Sequence, residues 1–209
     1  MDTGKFIVFE GGEGCGKSTQ ANLLFEWLKK NGYDVLLTKE PGGDEGICRE
    51  IRSILLNKNY QESFSERTEL LLFTADRAQH VDFTIKPALE SGKFVISDRY
   101  EASTFAYQCG GRKIEPKNFL WLNRYAAKGL RPDFTFWLDL DPKIGLRRNM
   151  NTEKRDRFET EDVIFHNQVR EGFVNYFQAI NSYSYKKLEG QLSIEELHQS
   201  VLTTIRQFI

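Results

Sequence analysis

The densest chemistry in the sequence lies in eight consecutive residues, Gly11-Gly12-Glu13-Gly14-Cys15-Gly16-Lys17-Ser18, which fit the pattern G-x-x-x-x-G-K-[ST]. Glycines at these spacings let the backbone wrap so tightly that several N–H groups converge on one anion. A lysine in this place lays a positive charge on the β- and γ-phosphates of a nucleotide, and the Ser18 hydroxyl can ligate Mg²⁺. Thr19 continues the same turn. A glycine-rich turn with a surface lysine would look the same in isolation. The apolar run before the loop and the amphipathic pattern after it favour a phosphate cradle, because the following helix then points its positive N-terminus at the anion.

Three further stretches carry polar chemistry. Phe94-Val-Ile-Ser-Asp98-Arg99-Tyr100 is an apolar run ending in a carboxylate and then an arginine. At the C-terminal end of a strand, Asp98 can hold Mg²⁺ through water and Arg99 can clamp a phosphate with paired N–H groups; the plainer alternative is a surface ion pair. Glu40-Pro41-Gly42-Gly43 follows another apolar run, and its glycines permit either a close approach by ligand or an ordinary turn. Arg147 to Arg157 is a basic stretch, either a phosphate-binding lid or a solvated loop.

Other nucleotide-binding classes fit less well. A GTPase reads its base with N-K-x-D, and Asn57-Lys58-Asn59-Tyr60 lacks the acidic residue. A motor or transport ATPase usually needs a longer chain and partner domains. His80, His166 and His198 stand apart from every motif and read as structural or surface residues, so no general base is evident. Phosphoryl transfer to an acceptor that is already anionic needs none. A small P-loop kinase fits best.

These residues need elements to position them. Lys5–Glu10, Asp34–Lys39, Lys93–Asp98 and Phe134–Asp139 read as buried strands, with Tyr185–Leu188 a candidate fifth. Lys17–Asn31 carries Ala21, Leu24, Phe25 and Leu28 at helical spacing, with Gly32 as a stop. Ile47–Leu56, Lys117–Lys128, Pro142–Met150 and Glu161–Ile180 are further helices, as is Ser65–Leu89, where Pro87 predicts a kink or an early end. Ser193 and Glu196 form a capping box for a last helix with Ile194, Leu197, Val201 and Ile205 on one face. The alternation predicts a three-layer α/β domain of the P-loop NTPase type over residues 1–209, a five-stranded parallel sheet flanked by helices, with a lid at about 147–159.

A formal net charge of -1 argues against a general nucleic-acid binder. No run approaches the roughly 18–20 apolar residues that span a membrane, and Phe6–Phe9 is too short for a secretory signal. Cys15, Cys48 and Cys109 fit no zinc spacing. A cytoplasmic enzyme is expected.

Phe9-Glu10-Gly11…Gly16-Lys17-Ser18, Glu40-Pro41-Gly42-Gly43, Phe73-x-x-x-Arg77, Asp98-Arg99-Tyr100 and Tyr107-Gln108 occur in this order. In this combination and at these spacings the chain resembles the thymidylate kinases from about Lys5 to Glu159, and more loosely beyond. The resemblance implies transfer of the γ-phosphoryl of ATP to dTMP with Mg²⁺, and a two-fold dimer formed through helices. Another P-loop nucleotide or deoxynucleoside kinase is the alternative, although Asp98-Arg99 stands where deoxynucleoside kinases carry Glu-Arg.

The resemblance also implies roles. Phe73 stacks on thymine, Arg77 reaches the base edge, and Thr104 and Gln108 hydrogen-bond the base. Tyr107 packs under the sugar and Glu13 lies near the 3′-hydroxyl. Arg52 and Arg99 bind the acceptor phosphate, with Glu40 and Pro41 in the same site. Phe73 as plain core and Arg52 on a solvated helix face are the alternatives. No arginine stands inside the phosphate loop, which resembles the bacterial subtype and moves the catalytic cation to Arg148 or Arg155 in the lid, or to Lys154. Arg157, in Asp156-Arg157-Phe158-Glu159, faces adenine or pairs with a carboxylate. Cys15, Lys39 and Cys109 depart from the family's usual residues, and the two cysteines raise the question of thiol sensitivity near the site.

Overall fold

A computed structural model describes residues 4–42, 46–149, 157–180 and 184–207. Among them, β1 (Phe6–Gly11), β2 (Val35–Lys39), β3 (Phe94–Asp98), β4 (Phe134–Asp139) and β5 (Ser184–Glu189) form one parallel sheet in the order β2-β3-β1-β4-β5. The expected sheet is therefore present. β1 and β4 are buried along their whole length, which is why they read as unbroken apolar runs. On β5, at the edge, Leu188 alone is buried, which is why its signal was faint.

Side chains of β1 alternate between two cores, as a pleated strand requires. Ile7 and Phe9 join Leu24, Leu28, Val201 and Ile205 under α1 (Lys17–Lys30) and α9 (Ile194–Ile205). Phe6 and Val8 join Val81, Ile85, Val95 and Tyr100 on the other face. A third cluster, including Leu70, Tyr107, Phe158 and Phe173, lies beneath α3 (Glu66–His80) and α8 (Val163–Ala179). The predicted capping box of α9 is formed, with the Glu196 N–H donating to Ser193 Oγ at 3.2 Å and the Ser193 N–H donating to Glu196 Oε2 at 2.9 Å.

From β1 the chain runs to β2, returns to β3 beside β1, and then crosses to β4 on the other side of β1. The crevice at such a reversal, outside the carboxyl ends of the strands, is where ligands bind in open α/β sheets. Pairing of Phe9 with Asp98 brings the phosphate loop and the Asp98-Arg99 turn level with one another.

Two helical expectations need correction. Pro87 does not end its helix early; the helix runs on to Glu90. A π-helical turn, Val81–Ile85, widens the chain just before it, so Pro87 falls in the first turn of α4 (Lys86–Glu90), where its missing N–H costs no bond. The stretch after Asp98-Arg99-Tyr100 carried no helix in the sequence reading, yet α5 (Glu101–Thr104) runs directly into a π-helical segment, Phe105–Gly111. The remaining helices are α2 (Gly46–Leu56), α6 (Pro116–Ala126) and α7 (Pro142–Asn149); Met150, the expected end of the last, lies outside the described residues. No helix among the described residues is long and apolar enough to cross a membrane.

Candidate active site

A cleft of about 770 Å³ opens where the phosphate loop, the ends of β2 and β3, and the helices α2, α3, α5 and α7 converge. The loop is pressed against α7: a Cβ on Gly14 would lie 2.2 Å from the Gly145 carbonyl oxygen, and Gly14 also has a φ of +65°. Only glycine fits there. Lys17 is buried, with Nζ donating to the Gly12 carbonyl at 2.6 Å, so its ammonium lies across the loop. The Ser18 hydroxyl donates to Asp98 Oδ2, while Asp98 Oδ1 is buried and without a partner among the described residues. Ser18 and Asp98, expected to share a metal, are thus adjacent. Cys15 is buried behind the loop, and Thr19 lines the cleft.

Arg99 holds a φ of +76°, a conformation uncommon for a residue with a side chain and often found where function imposes it. Its Nη1 donates to the Gly11 carbonyl at 3.0 Å and to Ser103 Oγ at 3.1 Å, and its Nη2 to Glu13 Oε1 at 2.6 Å. The Tyr107 hydroxyl donates to the same Glu13 oxygen at 2.6 Å. Burial works to raise the Glu13 carboxyl, but Arg99 and then Lys17 overcome it and hold it at about 2. Glu13 is therefore a permanent anion at the junction of the two halves of the cleft. Glu10, which the sequence reading left without a role, organises this turn. Its Oε1 accepts the N–H groups of Tyr100 at 2.9 Å and Ser103 at 3.1 Å, and burial raises its pKa.

The other half of the cleft is built on α2, α3 and α5. Arg52 does not lie on a solvated face: Nη1 donates to the Pro41 carbonyl at 2.6 Å and the side chain lines the cleft. Phe73 also lines it, with its ring 5.8 Å from that of Phe158. Arg77 lines the cleft as well. Its guanidinium is buried, donating from Nε and Nη2 to Glu40 Oε2 at 3.0 and 2.8 Å, from Nη1 to Asn123 Oδ1 at 2.8 Å and from Nη2 to Thr104 Oγ1 at 2.8 Å. Nor is His80 isolated: its Nδ1 lies 3.1 Å from Glu40 Oε1 and its Nε2 2.7 Å from Thr38 Oγ1. Burial would raise Glu40, but Arg77 and His80 together hold it below the ordinary range. Thr104 and Gln108 are both buried in the wall, one helical turn apart.

The basic stretch divides. Arg148 reaches from α7 to donate to the carbonyls of Gly14 at 3.2 Å and Gly190 at 3.1 Å, at the rim of the phosphate loop. Arg157 faces the opposite way, donating from Nη1 to Glu69 Oε2 at 2.6 Å and from Nε to the Leu55 carbonyl at 3.1 Å, so of its two expected positions it takes the carboxylate. Lys154, Arg155 and Asp156, with Gly43 of the Glu-Pro-Gly-Gly motif, lie outside the described residues. The question of thiol sensitivity has a structural answer: Cys15 and Cys109 are buried, and burial pushes the Cys109 thiol up to about 12, far from the reactive thiolate.

A sequence model of the family described as thymidylate kinase matches residues 9–201. The chain belongs to the thymidylate kinase family. That span takes in every motif above and also α8 and most of α9, so the family match covers the whole sheet beyond the start of β1. A thymidylate kinase of Trichormus variabilis is 44% identical over 199 residues, 95% of this chain and 93% of the relative. One of Sulfurihydrogenibium sp. is 41% identical over 204 residues, 98% of each, and one of Maridesulfovibrio salexigens is 47% identical over 178 residues, 82% and 81%.

Proposed function

We propose that this member of the family transfers the γ-phosphoryl group of ATP to the 5′-phosphate of dTMP, giving ADP and dTDP for dTTP synthesis. The observation that carries the base assignment is a donor and an acceptor side by side in the acceptor wall. Thr104 Oγ1 accepts from Arg77, which leaves its own proton to donate outward. The Gln108 Nε2 donates to Glu69 Oε1 at 2.8 Å, which leaves the amide oxygen as an acceptor with no partner among the described residues. A ring N–H beside a carbonyl, as in thymine, satisfies both; cytosine presents the reverse. Phe73 supplies a ring to stack on. Arg77, which lines the same cleft, would reach the base edge while it holds Glu40 and Thr104.

Arg52 and Arg99 line this cleft and would receive the acceptor phosphate, with Glu13 and Tyr107 near the sugar. Because that acceptor is already anionic, no residue has to remove a proton, and catalysis rests on positioning and charge. Lys17 and the loop amides neutralise the donor phosphates, while Arg99 draws the acceptor into line. Arg148, or Arg155 beyond the described residues, supplies the lid cation. Ser18 and Asp98 suit Mg²⁺, which takes one or two protein oxygens besides substrate phosphates, and the unpartnered Asp98 Oδ1 fits that donor set. Bound there, the ion would supply charge neutralisation to the transferring phosphates.

The chain acts as a single domain whose segment 147–159 closes as a lid. A homodimer is supported by large apolar side chains left more than half exposed on α6, Leu120, Trp121 and Tyr125, and by Leu71 on α3, which packs against α6. A cytoplasmic setting agrees with three free, buried cysteines. The test is ADP release with Mg-ATP and a panel of dTMP, dUMP, dCMP, dAMP and dGMP. Turnover strongest with dTMP is expected; strong turnover of another monophosphate with none of dTMP would sink the assignment. Lys17→Ala is expected to lower kcat by on the order of 100-fold or more with an unchanged circular dichroism spectrum, and unchanged turnover would remove Lys17 from the mechanism.

A further inference from the structure

Glu69 belongs to none of the motifs, yet it is 1% exposed and binds three partners from two separate parts of the chain. Its Oε1 accepts from Gln108 Nε2 at 2.8 Å and from Arg112 Nε at 3.2 Å, and its Oε2 accepts from Arg157 Nη1 at 2.6 Å. It lies one turn before Phe73 and two before Arg77 on α3, on the face that meets the cleft. Gln108 is fully buried, and its Oε1 has no partner among the described residues.

We infer that Glu69 is the positioning residue that sets base selectivity, by fixing which end of the Gln108 amide faces the acceptor cleft. The two ends of a carboxamide have nearly the same shape but opposite hydrogen-bonding character. An ionised carboxylate only accepts, so the end that meets Glu69 has to be the NH₂, and the carbonyl must turn the other way. Two arginines flank the same carboxylate: Arg157, and Arg112, which is itself shared with Glu161 at 2.6 Å. With a donor in place of Glu69, the amide would turn its NH₂ to the cleft. That end opposes the ring N–H of thymine and matches the ring acceptor of cytosine. Through Arg157, which lies 4.4 Å over the ring of Phe158, the neighbour of Phe73, Glu69 also reaches the aromatic wall of the cleft.

This inference rests on the dTMP assignment and on Gln108 as a base contact. The experiment measures kcat/KM for dTMP and dCMP in the unaltered chain, Glu69→Gln, Gln108→Ala and the double variant. Glu69→Gln is nearly isosteric but can present an NH₂. It is expected to raise the dCMP-to-dTMP ratio by at least about tenfold, the scale of one mispaired buried hydrogen bond, chiefly by loss of dTMP turnover. In the Gln108→Ala background the same substitution should leave the ratio within about twofold, because its effect passes through the amide. If Glu69→Gln does not fold, Glu69→Asp keeps the charge and withdraws the oxygen, and should move the ratio the same way by a smaller factor. A folded Glu69 variant that slows both substrates equally, or shifts the ratio as much without Gln108, overturns the inference and leaves Glu69 as a structural anchor. No dTMP turnover by the unaltered chain overturns the substrate assignment itself, and this inference with it.

Discussion

Asp76 shows how closely charge is balanced around the acceptor site. Its Oδ2 accepts the Gly42 N–H at 2.9 Å, while Oδ1 is buried without a partner among the described residues. Burial first, then the neighbouring charge of Glu40, push its carboxyl from an ordinary 3.8 up to about 6. A pKa raised by folding means that the folded state prefers Asp76 protonated. That preference stabilises the fold fully below about pH 4 and is lost as pH rises through about 6. A shift of this size corresponds to on the order of 3 kcal/mol. Asp76→Asn retains an acceptor for Gly42 and removes the charge. Urea unfolding should therefore show the variant more stable than its parent by about 1–3 kcal/mol near pH 8, with the gap closing toward pH 4. A gap independent of pH would mean that Asp76 does not titrate in this window.

Among the elements, two glycine contacts separate the donor and acceptor halves. A Cβ on Gly145 would lie 2.1 Å from the Glu13 carbonyl oxygen, so α7 and the phosphate loop touch backbone to backbone. Gly145→Ala should push them apart, raising KM for ATP by roughly tenfold and KM for dTMP by a smaller factor, through Glu13. A Cβ on Gly172 of α8 would lie 2.8 Å from the Ala106 Cα, in the π-helical segment that carries Tyr107 and Gln108. Gly172→Ala should destabilise the fold by about 1–3 kcal/mol and raise KM for dTMP while sparing ATP. Steady-state kinetics varying each substrate in turn checks both, and identical effects of the two variants would contradict the division. The same contact explains why Glu101–Gly111 did not read as a helix. Its two terminal glycines and the run Ser103-Thr104 are weak helix formers, so the segment owes its shape to α8 rather than to propensity.

For the whole molecule, the order β2-β3-β1-β4-β5 sets the site beside the central strand and leaves the helical face at Trp121 outside it. The Trp121 and Tyr125 rings stack on one another at 6.2 Å, with exposures of 69% and 77%. A second copy would cover apolar area that a monomer leaves in water. Light scattering across a range of concentrations should give twice the chain mass for the parent and one chain mass for Trp121→Glu. A parent that stays at one chain mass throughout excludes the dimer.

The sequence by itself determined the parts whose chemistry is local. The phosphate loop is legible because its glycines and Lys17-Ser18 are consecutive, and β1 and β4 because burial on both faces leaves an unbroken apolar run. Asp98 and Arg99 were visible as an anomaly at a strand end. Tertiary structure alone decided how these groups are charged, oriented and paired. It packed Arg77 against Glu40, Asn123 and Thr104, brought Arg157 to a carboxylate, and joined Glu69 to partners 39, 43 and 88 residues away. Nothing in the local pattern around Glu69 distinguishes it from a surface glutamate. A buried charge is tolerated only where its partners converge, and that convergence exists only once the helices have packed on the sheet.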